Sequence, residues 1–288
     1  MIKATCICMP NCILAEGCIW NREENRLYFT DIDGRQVFSL KGSVLTAFPQ
    51  EDRTGTIVFS KSGGFVAAVT NRLVLEHRSD GANRILLRQN FPEGLRYNDG
   101  KCDMYGNLWV GTMYMNQSRP EAKGGGSLYC ISSGQVLAEY SGFTIPNGMD
   151  WSRDGSIFYH VDTALQCIAA YDVRDQIHLL NRRVAVSVAE EDGSPDGMCA
   201  DENGNLWTAL WGGGKVICYE PFTGKKLEEI AVPDKYVSCC CFGGTDNRTL
   251  YITTARDEHG CGGQIYRASL GIKGGKTYQY EDKSEGGI

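Results

Sequence analysis

The sequence predicts an all-β fold: a single six-bladed β-propeller of four-stranded antiparallel blades over residues 1–288, closed by the N-terminal strand joining the last blade. Three observations predict it. Thirty-five glycines, fourteen tyrosines and five tryptophans describe a chain of tight turns and aromatic strands. A strand-like run behind a glycine-type turn recurs six times, starting near Leu27, Phe65, Leu108, Ile157, Leu206 and Leu250. Successive starts lie from 38 (27 to 65) to 49 residues (157 to 206) apart, the size of one propeller blade. No stretch carries the periodicity of an amphipathic helix, which argues against βαβ units. A pair of β-sandwiches would leave six similar units unexplained.

Taken in order, each of these strands is followed by a partner, at 36–40, 73–76, 127–131, 168–171, 216–219 and 264–268. Outer strands follow at 84–87, 135–138, 183–186 and 226–230. The last unit, from Val237, runs out of chain, and the N-terminal run 2–8 has no blade of its own. Laid on the sixth blade as its outer strand, that run pairs an exposed edge and closes the ring. After Leu270 the Gly- and Lys-rich tail is expected to fray.

The apolar share of 42% and charged share of 22% are those of an ordinary globular chain. A net charge of −6 with no basic segment argues against nucleic acid or an anionic membrane as partner. No apolar run approaches the roughly 20 residues that span a bilayer. Thirteen cysteines is an odd number, with no Cys-x-x-Cys pair and no secretory segment ahead of the first strand. Cys6, Cys8 and Cys239, Cys240 and Cys241 lie in apolar runs. They read as reduced, structural thiols of a cytoplasmic protein. The expected assembly is a monomer or a weak homo-oligomer.

Two stretches one blade apart are near copies: Ile145-Pro146-Asn147-Gly148-Met149 and Ser194-Pro195-Asp196-Gly197-Met198. The innermost strand of a blade lines the propeller axis, where small or apolar residues are expected. The residue before glycine is instead Glu16, Asp99, Asn147 or Asp196, with Asn98 alongside. Carboxylates facing a dry channel are costly and repel one another. One divalent ion resolves both costs. Oxygen ligands from Glu, Asn and Asp suit Ca²⁺, Mg²⁺ or Mn²⁺, and Zn²⁺ or Fe²⁺ equally remain open. Three protein ligands leave positions for water and substrate. Asn-Gly and Asp-Gly are also ordinary turn dipeptides. The flanking Pro and Met, the one-blade spacing and the third polar pair Glu16-Gly17 favour a site over a turn.

Several stretches, in order from one end of the chain to the other, carry a family resemblance. They include Leu14-Ala15-Glu16-Gly17-Cys18-Ile19-Trp20, Arg96-Tyr97-Asn98-Asp99-Gly100-Lys101, Gly111-Thr112-Met113, Pro146-Asn147-Gly148, Pro195-Asp196-Gly197-Met198 and Leu210-Trp211-Gly212-Gly213-Gly214. The sequence resembles the senescence-marker-protein/gluconolactonase/luciferin-regenerating-enzyme family. The resemblance implies a six-bladed propeller with one divalent metal ion and, for many members, hydrolysis of sugar lactones. By position it implies Glu16, Asn147 and Asp196 as metal ligands, and Arg96 and Asn98 as substrate contacts. In some members an acid a few residues past Gly-Thr-Met also touches the sugar. That place falls on Asn116 here, with Glu121 in the same loop as its substitute.

The expected chemistry is hydrolysis of a small sugar lactone to the aldonic acid. The ion polarises the carbonyl and stabilises the oxyanion, and Asp196 takes a proton from the attacking water. Arg96 forks onto hydroxyls or a carboxylate. Two rival readings use the same site: a phosphotriesterase-like hydrolase, and a non-catalytic calcium-binding propeller. Asp99 and Lys101 read as a structural ion pair, and Tyr114, Trp211 and His259 as rim. His77, His160, His178 and His259 show neither metal-ligand nor triad spacing. No Gly-x-Ser-x-Gly elbow is present, and the triple glycines 124–126 and 212–214 precede no helical pattern.

Overall fold

A computed structural model describes residues 2–76 and 83–283. Alternation along the strands decides its architecture. In the strand Arg26–Asp31, Leu27 and Phe29 enter one apolar layer while Tyr28 enters the layer on the opposite face. Both faces of such a strand must be covered, so each sheet is sandwiched between two others. A ring satisfies this for every sheet at once.

Four consecutive antiparallel strands form each of blades one to four, at residues 15–49, 54–88, 95–143 and 146–187. Blade five has its own four strands at 194–231, and blade six has three at 236–269 and takes its fourth from the N-terminus. Six principal apolar layers separate the blades, one per interface. The last of them packs Ala15, Leu27 and Phe29 of blade one against Cys239, Tyr251 and Ile265 of blade six and closes the ring. Burying each Leu, Phe or Tyr of these layers contributes about 1.5–3 kcal/mol.

Ring closure follows the expectation and adds to it. Thr5–Cys8 pairs antiparallel with Ile265–Ser269 as the outer strand of blade six. Ile2–Lys3 instead runs parallel to Lys225–Ala231 and gives blade five a fifth strand. The chain changes blades at Ala4, whose N–H bonds the Ala231 carbonyl at 2.9 Å.

The expected fraying of the tail is wrong as far as residue 283. Backbone bonds tie Gly274 to Asn247, Gly275 to Ala200, Tyr280 to Phe59 and Lys61, and Glu281 to Gly106, all at 2.8–2.9 Å. Tyr280 is fully buried and its hydroxyl accepts the Gly134 N–H at 2.9 Å. The tail is a strap across the base of the ring, where the innermost strands end.

A second device fixes the base turns. Asp201 accepts from the N–H groups of Asn203 and Asn205, the Asn205 side chain and the Trp207 indole, at 2.9–3.1 Å. Asp103 does the same one blade pair earlier for Tyr105, Asn107 and Trp109. Both lie in the sequence Asp-x-x-Gly-Asn-Leu-Trp. The thirteen cysteines are unbridged, nine of them buried, as small apolar residues would be. Helix among the described residues is limited to three short 3₁₀ turns, none long and apolar enough to cross a membrane.

Candidate active site

The six innermost strands are Ala15–Asn21, Thr54–Phe59, Leu95–Cys102, Pro146–Trp151, Ser194–Ala200 and Tyr236–Gly243. Each breaks register with its neighbour near its N-terminal end. Such a bulge leaves residues unpaired and re-aims their side chains. The unpaired residues are Asn98-Asp99, Asn147-Gly148 and Asp196-Gly197 in blades three to five. By this register Asn98, not Asp99, holds the place of Asn147 and Asp196. The alignment read from the sequence is therefore shifted by one residue in blade three.

The glycines have a steric cause. A Cβ on Gly148 would lie 2.5 Å from the Asp196 carbonyl oxygen, and one on Gly197 would lie 2.6 Å from Cys239 Sγ. Asn147-Gly148 and Asp196-Gly197 are thus points where neighbouring blades touch at the axis, and not hairpin turns.

Glu16, Arg96, Asn98, Asn147 and Asp196 are all buried at this mouth of the channel. Asp162, at the end of Ile157–Asp162, accepts the N–H groups of Thr144 and Ile145 at 3.0 and 2.9 Å and so fixes the approach to Asn147. Asp31 does the same for Ile13 and Leu14 ahead of Glu16. Arg96 Nη1 donates to the Tyr97 carbonyl and to Asn98 Oδ1, both at 2.7 Å. Asn98 Nδ2 donates to the Pro146 carbonyl at 2.9 Å and to Asn147 Oδ1 at 2.8 Å. Asn147 Nδ2 donates to Thr163 Oγ1 at 2.8 Å. Glu16 Oε2 accepts the Gly17 N–H at 3.0 Å. Asp196 Oδ1 is buried with no hydrogen-bond partner among the described residues.

The electrostatics follow from burial. Desolvation first, then the Asp99 charge, push the Glu16 carboxyl up to about 8, against the Gly17 N–H and Arg96. Desolvation, then Glu16 and Asp99, hold Asp196 well above the usual carboxylate range. Burial also raises Asp99, opposed by Lys101. The Arg96 guanidinium falls to about 10 because it is buried, despite Asp33 and Glu16. These influences link Glu16, Arg96, Asp99 and Asp196, from blades one, three and five. The Asn98–Asn147 bond brings in blade four. Among the described residues no three His, Cys, Asp or Glu side chains are arranged to hold a metal ion. The gathered set has two of the three predicted ligands as carboxylates and the third as an amide.

Asn116 and Glu121 stand apart from this set. Asn116 is exposed on the loop after Leu108–Tyr114, and its Oδ1 accepts from Ser118 N and Oγ at 3.0 and 2.7 Å. Glu121 is exposed and lies 3.6 Å from Arg119. The loop does share the mouth, because Tyr114 pairs with Leu95 at the start of the blade-three inner strand. Lys101 is paired otherwise than expected: its Nζ meets Asp150 Oδ2 at 2.8 Å and the Met198 carbonyl at 2.9 Å. His160 packs between Phe143 and Phe158, and burial drives it down to about 3. His178 and His259 are exposed, and His77 lies outside the described residues. Sequence reasoning missed Thr163, Asp162 and the Asp33–Arg53 pair (2.6 Å) whose charges act on Arg96. Only the recurrence of Asp31 and Asp162 at matching strand ends could have signalled any of them.

The fold and site define a six-bladed β-propeller with an oxygen-rich polar cluster at one mouth of its axial channel. The chain belongs to the SMP-30/gluconolactonase/LRE-like family, whose region matches residues 14–256. It is 36% identical over 259 residues to YvrE of Bacillus subtilis (strain 168), a proposed sugar lactone lactonase, covering 85% of each chain. It is 32% identical over 298 residues to Homo sapiens regucalcin, covering 97% of this chain and 98% of the other. A solved luciferin-regenerating enzyme superposes with a TM-score of 0.87 at 26% identity, covering 96% of this chain and 99% of that one.

Proposed function

We propose that this chain is a divalent-ion-dependent hydrolase that opens a sugar lactone to its aldonic acid, with Glu16, Asn147 and Asp196 holding the ion. The observation that carries this reading is Asp196: a buried carboxyl whose Oδ1 lacks any hydrogen-bond partner among the described residues, set within electrostatic reach of a second buried carboxyl, Glu16. Such a pair is stable as carboxylates only with a cation beside it. Asn147 Oδ1 supplies a third oxygen, and an all-oxygen set suits Ca²⁺, Mg²⁺ or Mn²⁺ and admits Zn²⁺ or Fe²⁺. Family membership and the lactonase name carried by YvrE support the substrate class.

An ion bound there supplies Lewis-acid polarisation of the lactone carbonyl and a more acidic water. The chain's residues do the rest. Asp196 accepts the proton of the attacking water and returns it to the leaving ring oxygen. Arg96 keeps N–H donors beyond Nη1 for sugar oxygens, and its planar fork suits paired acceptors. Asn98, held by Arg96 on one side and Pro146 on the other, orients a hydroxyl at the same mouth. Asn116 and Glu121 complete substrate binding from the rim loop when they exchange their local partners for sugar hydroxyls.

The test is a panel of aldonolactones assayed with Ca²⁺, Mg²⁺, Mn²⁺ or Zn²⁺, with and without chelator. Asp196→Asn, nearly isosteric, is expected to keep the fold and lose about 10²- to 10⁴-fold in kcat. Turnover indifferent to chelator, full activity in the variant, or faster cleavage of organophosphates than of lactones would each overturn the reading.

A further inference from the structure

We infer that Thr163 is a positioning residue that fixes which end of the Asn147 amide faces the channel, and through it the affinity for the ion. This rests on the metal-dependent reading above and deepens it. The inference comes from a chain of four hydrogen bonds whose direction is forced at both ends. Arg96 can only donate, and its Nη1 is 2.7 Å from Asn98 Oδ1. That makes the other end of the Asn98 amide the donor, which meets Asn147 Oδ1 at 2.8 Å. Asn147 Nδ2 then donates to Thr163 Oγ1 at 2.8 Å. The Thr163 hydroxyl has a single proton and gives it to the Pro195 carbonyl at 2.8 Å. A backbone carbonyl can only accept, so Thr163 must receive from Asn147.

The relay runs from blade three through blade four to blade five, and neither amide can turn over without setting two donors or two acceptors against each other. Its consequence lies at Asn147. The nitrogen is held on the Thr163 side, so the oxygen, the only atom of that amide able to bind a cation, stays on the side of Asn98. Thr163 is itself fixed, because its N–H bonds the Ile145 carbonyl at 3.0 Å and it follows Asp162, which pins the approach to Asn147. Pro195, the end of the relay, immediately precedes Asp196. One hydroxyl therefore joins the backbone at one predicted ligand to the side chain of another.

The substitution Thr163→Val keeps shape and removes both the donor and the acceptor. The Asn147 nitrogen then has no acceptor, and the bond from Asn98 alone holds the amide oxygen in place. Loss of a partner that orients a ligand typically costs 10- to 100-fold in metal affinity. Calorimetric titration of the chelator-treated protein with Ca²⁺ or Mn²⁺ is expected to show binding weakened about 10- to 100-fold in Thr163→Val. Thr163→Ser, which restores the hydroxyl, should stay within about threefold of wild type. Lactone hydrolysis by Thr163→Val should return toward the wild-type rate as the ion is raised to saturation. Thermal melts in chelator report any purely structural loss. If the wild type binds an ion and Thr163→Val binds it within threefold, the inference fails while the metal reading stands. If melts fall but affinity does not, Thr163 is only structural and the inference also fails. If the wild type binds no ion, both fall.

Discussion

Raising the pH from 6.5 to 8 will destabilise the ion-free protein, and Glu16 sets the scale of the loss. An unfolded glutamate ionises near 4.3 and carries no proton in this interval. Folded Glu16 is pushed up to about 8 and still carries one. The folded state therefore binds more protons than the unfolded state, and stability falls with rising pH by about 1.4 kcal/mol per unit. Over 1.5 units, with the slope halved as the pH reaches the folded value, the Glu16 contribution is about 1.6 kcal/mol, or about 3 °C in melting temperature for a domain of this size. Asp196, also raised, adds in the same direction. The opposing group is His160. Its folded value of about 3 against 6.5 makes stability rise with pH mostly below 6.5, and above that point it offsets only about 0.4 kcal/mol. The assay is thermal denaturation in chelator at pH 6.5 and 8, for wild type and Glu16→Gln. The wild type should lose about 3 °C, and the variant should lose less by about that amount. A melting temperature that holds or climbs over the interval, or an equal fall in both proteins, would refute the account of a desolvated carboxyl at the axis. Saturating ion should abolish the fall, since ion binding takes up the deprotonated form.

Two further predictions concern the scaffold. Tyr280→Ala empties a fully buried site between blades two and three and strands the Gly134 N–H, and should cost about 3–5 kcal/mol in urea denaturation. Lactone turnover well below the melt should survive, because the strap is on the opposite end of the channel from Asp196; a loss under about 1 kcal/mol would mean that the strap does not hold the base. Asp201→Ala removes four hydrogen bonds and leaves the buried Trp207 indole N–H without its acceptor, and should cost about 3 kcal/mol by the same measurement.

The blades were legible because the strands inside each blade must be apolar on both faces, and Leu27, Phe29 and Tyr28 declare that in three residues. The polar axis was legible because Glu16, Asn147 and Asp196 violate the same rule. What escaped has a common cause: its signal is spread over blades distant in sequence. Asn98 holds the place of Asn147 only once the bulges are counted in the ladders. Lys101 pairs with Asp150 of the next blade, 49 positions on, although Asp99 is two positions away. The strap uses backbone groups of Ala200, Phe59 and Gly106, while its own Gly and Lys content reads as an unfolded end. Ile2–Lys3 is too short to announce a parallel pairing with Lys225–Ala231.

The closed ring also explains how a site so unfavourable by itself can persist. Each bulge leaves unpaired backbone, and each buried carboxyl raises the cost of folding. No pair among Glu16, Asn98, Asn147 and Asp196 is close in sequence, so no local element could hold them together. The holding force comes from the six apolar layers, which fix the innermost strands at a separation too small for a Cβ at Gly148 or Gly197. Glycine there lets the blades close, and closure presses the flanking Asn147 and Asp196 onto their neighbours. Enlarging either glycine would therefore act twice, by parting two blades and by dispersing the oxygens that the axis gathers.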